Sequence, residues 1–323
     1  MSAFTISLDF ELFWGVADIA DIKSYGANVE GEWQAVPAIL ALFRRYGVRA
    51  SWATVGMAMC RDYRHWQSLR PVVMPAYRNS RLSAYAYGSM AQAHPRLFFA
   101  RPLIERILET PGQELASHTY SHYLCNEEGA SPDQFAADMA CATDIAADLG
   151  IKLRSLVMPR NQIHPRYLEC LPRLGIRVVR GNADHWLYRS GHRAPGGIAG
   201  RAVRLADAWL PLHSATVQTG SFGNDLVNVP ASLFLRPWSR TLAGLEALRM
   251  RRLQNSMTEA ARSDGIFHLW WHPHNFGVNQ AENLRFLEGV LQHYARLRGE
   301  FGMQSMAMRD FEQSQHQQAL PHA

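Results

Sequence analysis

Lysine is almost missing from this chain: of its 33 lysines and arginines only Lys23 and Lys152 are lysine. The positive charge is therefore carried by arginine, and a net charge of +5 inclines the surface only weakly towards anionic partners. The densest cluster, Arg249, Arg251 and Arg252 in LRMRRLQ, is expected on the solvated face of a helix. No nucleic-acid motif or basic-aromatic pattern accompanies it, which argues against a nucleic-acid binder. Peripheral contact with a membrane surface or a phosphate group remains as a lesser reading. Cysteine is scarce too. Cys60, Cys125, Cys141 and Cys170 are scattered without a CxxC pair, which fits reduced structural thiols better than a disulfide scaffold or a zinc knuckle; Cys125, close to the histidine-rich segment, is read as a buried inert thiol before a ligand. Apolar runs stay short: AVPAILALF at 35–43 falls far below the ~20 residues of a bilayer span. The chain starts without a basic segment leading into an apolar stretch and a small-residue cleavage site, because strand-like sequence begins at Phe4, and a soluble, cytoplasmic protein is expected.

What is present is an ordinary globular composition, 47% apolar and 19% charged, over a length that buries a sizeable core and rules out disorder or fibres. Short apolar runs at 4–10, 48–55, 113–118, 153–158, 176–180 and 266–271 read as buried strands. Helical patterns fall between them, at roughly 33–46, 163–174, 241–262 and 281–298, and most clearly at 132–149. There Ser131 is the N-cap, Pro132 holds the first position, Gln134 completes a capping box and Gly150 stops the helix. Strand and helix in alternation imply parallel strands with crossover helices, either an open doubly wound sheet or a β/α barrel. No repeat, low-complexity linker or composition break divides the chain, so one domain over 1–323 is expected, with long functional loops at about 60–105 and 183–240.

Polar residues gather where those strands end. ISLDFEL places Asp9 and Glu11 two apart, on one face of a strand, and two like charges side by side call for a cation or a shared proton. The third strand runs into SHTYSH, whose His118 and His122 share a face if the chain turns helical, a spacing suited to two imidazoles on one metal. Arg160 follows the fourth strand in VMPRNQ, Asp184 and Trp186 follow the fifth, and His272 and His274 follow the sixth. In a β/α barrel such strand ends carry the chemistry. Each residue has a plainer alternative: a metal-free salt bridge to Arg160 for the acids, satisfied core or helix-end positions for the histidines, core packing for the tryptophans.

This ordered set resembles the polysaccharide deacetylase family, the family-four carbohydrate esterases, over Asp9 to about Gly277, and HTYSH is its most specific element. The resemblance implies a distorted (β/α) barrel, one divalent metal (zinc first, with cobalt, nickel or manganese as alternatives), a carbohydrate substrate and hydrolysis of an N-acyl group. It implies Asp9 as catalytic base, His118 and His122 as metal ligands, His272 as general acid, Arg160 as the arginine orienting the base, and Asp184 with Trp186 as the element supporting the acid histidine. Phe10 stands where the common form has a second aspartate, and Glu11 fits the variant that places the metal carboxylate two residues after the base. The arginine motif, usually Arg-x-Pro, reads Met158-Pro159-Arg160 here. His274 competes with His272 for the late-histidine role; the residue before a proline tends to stay extended, which favours His272. Tyr77 and Arg78 are expected to reach the substrate from the first long loop, and Trp186 to stack on a sugar. A small-molecule amidase of the same fold and a carbohydrate-binding protein without activity remain alternatives.

Overall fold

The run AFTISLDF is apolar on both faces and interrupted only by small hydroxyls and one acid, the composition of a strand covered on both sides. In the computed structural model, which describes residues 1–183, 207–210, 214–223 and 225–312, it forms β1 (Ala3–Phe10), buried along its whole length. In chain order there follow β2 (Ala50–Thr54), β3 (Gln113–Ser117), β4 (Ser155–Leu156), β5 (Val178–Val179), β6 (Gly220–Ser221), β7 (Val227–Asn228), β8 (Leu233–Phe234), β9 (Ile266–Trp271) and β10 (Gln304–Ser305). The sheet order is β6-β7-β5-β4-β3-β2-β1-β9-β8, with β10 beside the start of β1. Every pairing is parallel except β6 with β7.

The two edges of this sheet meet through one stretch of chain. Val227, Val229 and Ala231 donate their N–H groups to the carbonyls of Arg177, Val179 and Gly181, whereas Ser232 and Leu235 donate to His268 and Trp270. Residues 227–235 thus bond first along β5 and then along β9, and the sheet curls into the distorted (β/α) barrel expected from the sequence. Parallel strands run their carboxyl ends to one rim, so Phe10, Thr54, Ser117 and Trp271 open onto the same mouth.

Helices cover the outside. Ser131 Oγ accepts from Gln134 N–H at the start of Pro132–Ala147, as expected, but Gln134 does not complete a capping box. Its side-chain oxygen accepts from the Tyr123 hydroxyl and from Ala76 N–H instead. The helix expected at 163–174 is broken into Pro165–Leu168 and a 3-10 turn Leu171–Leu174, because Pro172 cannot donate to a continuing helix. Segment 60–105 is not a plain loop: it holds helices Tyr63–Ser68 and Gly88–Ala93 and the start of Arg101–Glu109. The expectation for LRMRRLQ is corrected as well. On helix Glu246–Arg262, Arg249 and Arg252 are buried, Arg249 paired with Glu246 and lying over the Phe286 ring, Arg252 paired with Asp207 and Ser256; only Arg251 faces solvent. All four cysteines are free thiols, and Cys125 Sγ donates to the Gln162 carbonyl rather than facing the histidines.

Candidate metal centre and active site

Asp9 leaves β1 on the inward face, but Glu11 lies beyond the last strand residue, with φ −124° and ψ −11°, and Leu12 turns into the left-handed region at φ +50°. The carboxylate of Glu11 folds against the turn Leu12–Gly15. A Cβ at residue 15 would lie 2.0 Å from Glu11 Cδ, so only glycine admits the acid there. The two acids converge by a strand followed by a tight turn.

His118 and His122 do not sit on a helix. After β3 the chain passes through positive φ at Thr119 (+62°) and His122 (+55°), a course held from outside by Asp138. The Asp138 carboxylate accepts from Tyr120 N–H (2.7 Å), Ser121 N–H (3.1 Å) and the Ser121 hydroxyl, while Thr119 Oγ1 accepts from Tyr123 N–H (2.7 Å). Burial raises the Asp138 pKa to about 6, against the pull of these donors. His118 Nδ1 bonds the Val157 carbonyl at 2.9 Å. A carbonyl only accepts, so Nδ1 carries the proton and the Nε2 lone pair is free. The Nε2 atoms of His118 and His122 lie 3.4 and 3.3 Å from Glu11 Oε2, all three side chains buried. Burial lowers the His122 pKa, against the pull of Glu11. Burial would raise Glu11, but His272, His118 and His122 together hold it well below the ordinary carboxylate range.

One carboxylate and two imidazoles, with ligand atoms mutually within 4.8 Å, fit a divalent metal, and they are the one such group among the described residues. The carbonyl that sets the His118 tautomer is the kind of support metal-bound histidines use. Glu11, His118 and His122 therefore form the candidate centre. The opposite wall is built from the end of β9. His272 Nε2 lies 3.7 Å from Glu11 Oε1 and 3.8 Å from Asp9 Oδ2, its side chain 24% exposed. His274 stacks on it at 4.9 Å but is only 4% exposed, with Nδ1 4.0 Å from Glu11 and 3.7 Å from Glu32. Burial pushes the His274 pKa down to about 3. Burial, and then the charge on Glu11, hold buried Glu32 well above the ordinary range.

The arginine on Asp9 is Arg180, not Arg160. Its guanidinium clasps both carboxylate oxygens (2.6 and 2.8 Å), donates to Ser7 Oγ and Asn161 Oδ1 (each 2.9 Å) and lies over the Trp270 ring at 4.4 Å. Burial would raise the Asp9 pKa, but Arg180 in the first place, helped by His118 and His272, keeps it below the ordinary value. Arg160 pairs with Asp18 at 2.6 Å, its side chain 31% exposed; its φ of +53° turns the chain at Pro159–Asn161, so that Asn161 rather than Arg160 reaches the buried pair. A signal for Arg180 did exist: IRVVR is a buried strand ending in a charge, and a charge at such a place needs a partner. For Asp138 and Gly15 the sequence held no comparable cue.

Tyr77 and Arg78 are engaged away from the acids. The buried Tyr77 hydroxyl accepts from Leu124 N–H at 2.7 Å, and Arg78 pairs with Glu128 on the surface. Asp184 and Trp186 lie outside the described residues.

No protein-family model and no curated protein matches the chain. Solved structures do. A putative polysaccharide deacetylase from Mycobacterium smegmatis matches with a TM-score of 0.61 at 12% identity, over 100% of this chain and 93% of that one. A probable polysaccharide deacetylase from Pseudomonas aeruginosa PAO1 matches at 0.54 and 14% identity, covering 99% and 92%. The Puue allantoinase matches at 0.53 and 13%, covering 99% and 91%. The chain thus has the fold of the polysaccharide deacetylases, the fold that its motif order implied. At these identities the likeness is one of fold, and the chemistry rests on the residues above.

Proposed function

We propose that this protein is a metal-dependent hydrolase that removes an N-acyl group, acetyl in the first instance, from a sugar. The observation that carries the reading is the division of four buried groups: Glu11, His118 and His122 face one point, while Asp9, in the grip of Arg180, stands apart from them next to His272. A divalent ion on the first three, zinc in the first instance, would supply Lewis acidity towards a water and an acyl oxygen. Asp9 stays ionised through the neutral range because Arg180 holds it, and it accepts the proton of the attacking water. His272, the more open of the two late histidines, delivers a proton to the departing nitrogen as the C–N bond breaks. The products are a carboxylic acid and a free amine. Asp184 and Trp186 stay in this reading as supports for the acid histidine and the sugar. Arg160 acts through its neighbour Asn161 at most, and His274 packs beneath His272.

The substrate class belongs to the same proposal: an intracellular saccharide, lipid- or nucleotide-linked, handled in polysaccharide biosynthesis by one catalytic domain in the cytoplasm. Among the described residues no helix is long and apolar enough to cross a membrane. The likeness to the Puue allantoinase supports a second reading, a small-molecule amidase. Phe10 in the place of a second acid supports a third, a sugar-binding protein without activity. Metal analysis, followed by acid release from N-acetylated sugars and from simple amides, separates the three. One equivalent of metal with acetate released from sugars supports the deacetylase, release from simple amides alone supports the amidase, and absence of both metal and turnover leaves the binding protein.

A further inference from the structure

Val72, Val73 and Met74 are exposed side by side, at 100%, 45% and 42%. Single exposed apolar side chains are ordinary on a protein surface, but three in a row between Pro71 and Pro75 form a small apolar tip. Its exposure is built into the fold. On one side Trp66 is buried, stacked by Tyr85 and covered by the Arg70 guanidinium at 4.5 Å. On the other, Ala76 N–H donates to Gln134 Oε1 (3.3 Å), Tyr77 is tied to Leu124, and Arg78 N–H donates to the Glu128 carbonyl (2.9 Å). Gly129, at φ +94°, passes so close that a Cβ there would lie 2.2 Å from the Ala76 carbonyl oxygen. Both ends of the tip are anchored, and among the described residues nothing covers Val72.

In the chain on either side of the tip basic groups outnumber acids. From Arg61 to Arg81 there are five arginines, Arg61, Arg64, Arg70, Arg78 and Arg81, all exposed, against one acid, Asp62, which accepts from His65 N–H at the start of helix Tyr63–Ser68. The segment across from the tip brings acids of its own: Glu128 is paired with Arg78, Glu127 accepts from Gln162, and Asp133 stands exposed beside Gln134. A soluble polyanion would satisfy the arginines and leave the apolar tip in water. A stable protein partner needs about 800 Å² per side, far more than three side chains supply. An anionic phospholipid surface matches both halves, with arginines on headgroup phosphates and the tip in the acyl boundary. We propose that residues 71–75, flanked in the chain by these arginines, dock the protein reversibly on anionic membranes. The proposal stands whether or not the hydrolase reading does.

The test is flotation of the purified full chain with phosphatidylglycerol or phosphatidylcholine vesicles. Binding to the anionic vesicles is expected, weakening as salt is raised. The triple variant Val72→Ser, Val73→Ser, Met74→Ser should bind at least ~10-fold more weakly with the charge unchanged. Arg64→Gln should cost about 5-fold, the equivalent of the ~1 kcal/mol carried by one arginine near a charged surface. All of these side chains are exposed, so an unchanged unfolding temperature certifies the variants. No binding to phosphatidylglycerol at low salt, equal binding to both lipids, or a triple variant that binds like the parent would overturn the proposal.

Discussion

Replacing Arg180 by methionine removes the cation that both Asp9 oxygens grip at 2.6 and 2.8 Å and leaves the carboxylate buried. The arginine side chain is fully buried and the carboxylate nearly so, and breaking a buried pair by removing one partner typically costs about 3–5 kcal/mol. The pH dependence follows from the sign of the shift. In the parent the Asp9 pKa is held below its ordinary value, so the pair adds stability that is fully present above the unfolded aspartate pKa and is lost as pH falls through the folded one. Without Arg180, burial dominates and raises the Asp9 pKa, so the base is ionised only at higher pH. The acid limb of kcat/KM on an N-acetyl sugar should therefore move up in Arg180→Met, while urea unfolding shows the lost stability. Arg160→Met, which breaks a partly exposed pair, should cost no more than ~1 kcal/mol and leave the limb in place. Asp9→Asn combined with Arg180→Met should be more stable than Arg180→Met alone, because no unpaired buried charge remains. An Arg180→Met profile superimposed on the parent's, or a shift found in Arg160→Met instead, would refute the reasoning.

The other expectations divide the site into parts. Glu11→Ala should lose metal and activity together, with partial recovery in excess zinc, whereas Asp9→Asn should keep the metal by elemental analysis and lose activity beyond rescue. His272→Ala should lower kcat by about 10²–10⁴-fold at unchanged metal content, and the same loss in His274→Ala would exchange their roles. Gly15→Ala places a methyl against the Glu11 carboxylate, and metal titration should show weakened binding with the strands intact by circular dichroism. Asp138→Asn removes the charge that holds the Tyr120 and Ser121 amides, and metal affinity should fall about 10–100-fold, read in a chelator competition.

The core strands were legible because burial on both faces leaves a continuous apolar run, and β1, β2, β3 and β9 lie where those runs lie. The Glu11, His118 and His122 cluster was legible for a related reason: parallel strands deliver their ends to one rim, so polar residues at successive strand ends become neighbours however far apart they are in the chain. Local pattern could not choose partners. Whether Arg160 or Arg180 holds Asp9 depends on a turn at positive φ that sends one guanidinium to Asp18 and on a strand that buries the other; IRVVR marks the second as a buried charge but does not name its partner. Glu246 lies one helical turn from Arg249, but Arg249 and Arg252 looked solvated because Phe286 and Asp207, which meet them, come from sequence positions that only folding brings near. The same holds for residues 227–235, which form β7 and β8 by bonding to β5 and β9 in turn, and for Glu11, whose place beside the histidines needs the space that Gly15 leaves open. Sequence determined which segments are buried and which residue types stand at their ends. Tertiary structure decided which charge meets which, because pairing energy depends on distance in space and burial, and neither scales with separation along the chain.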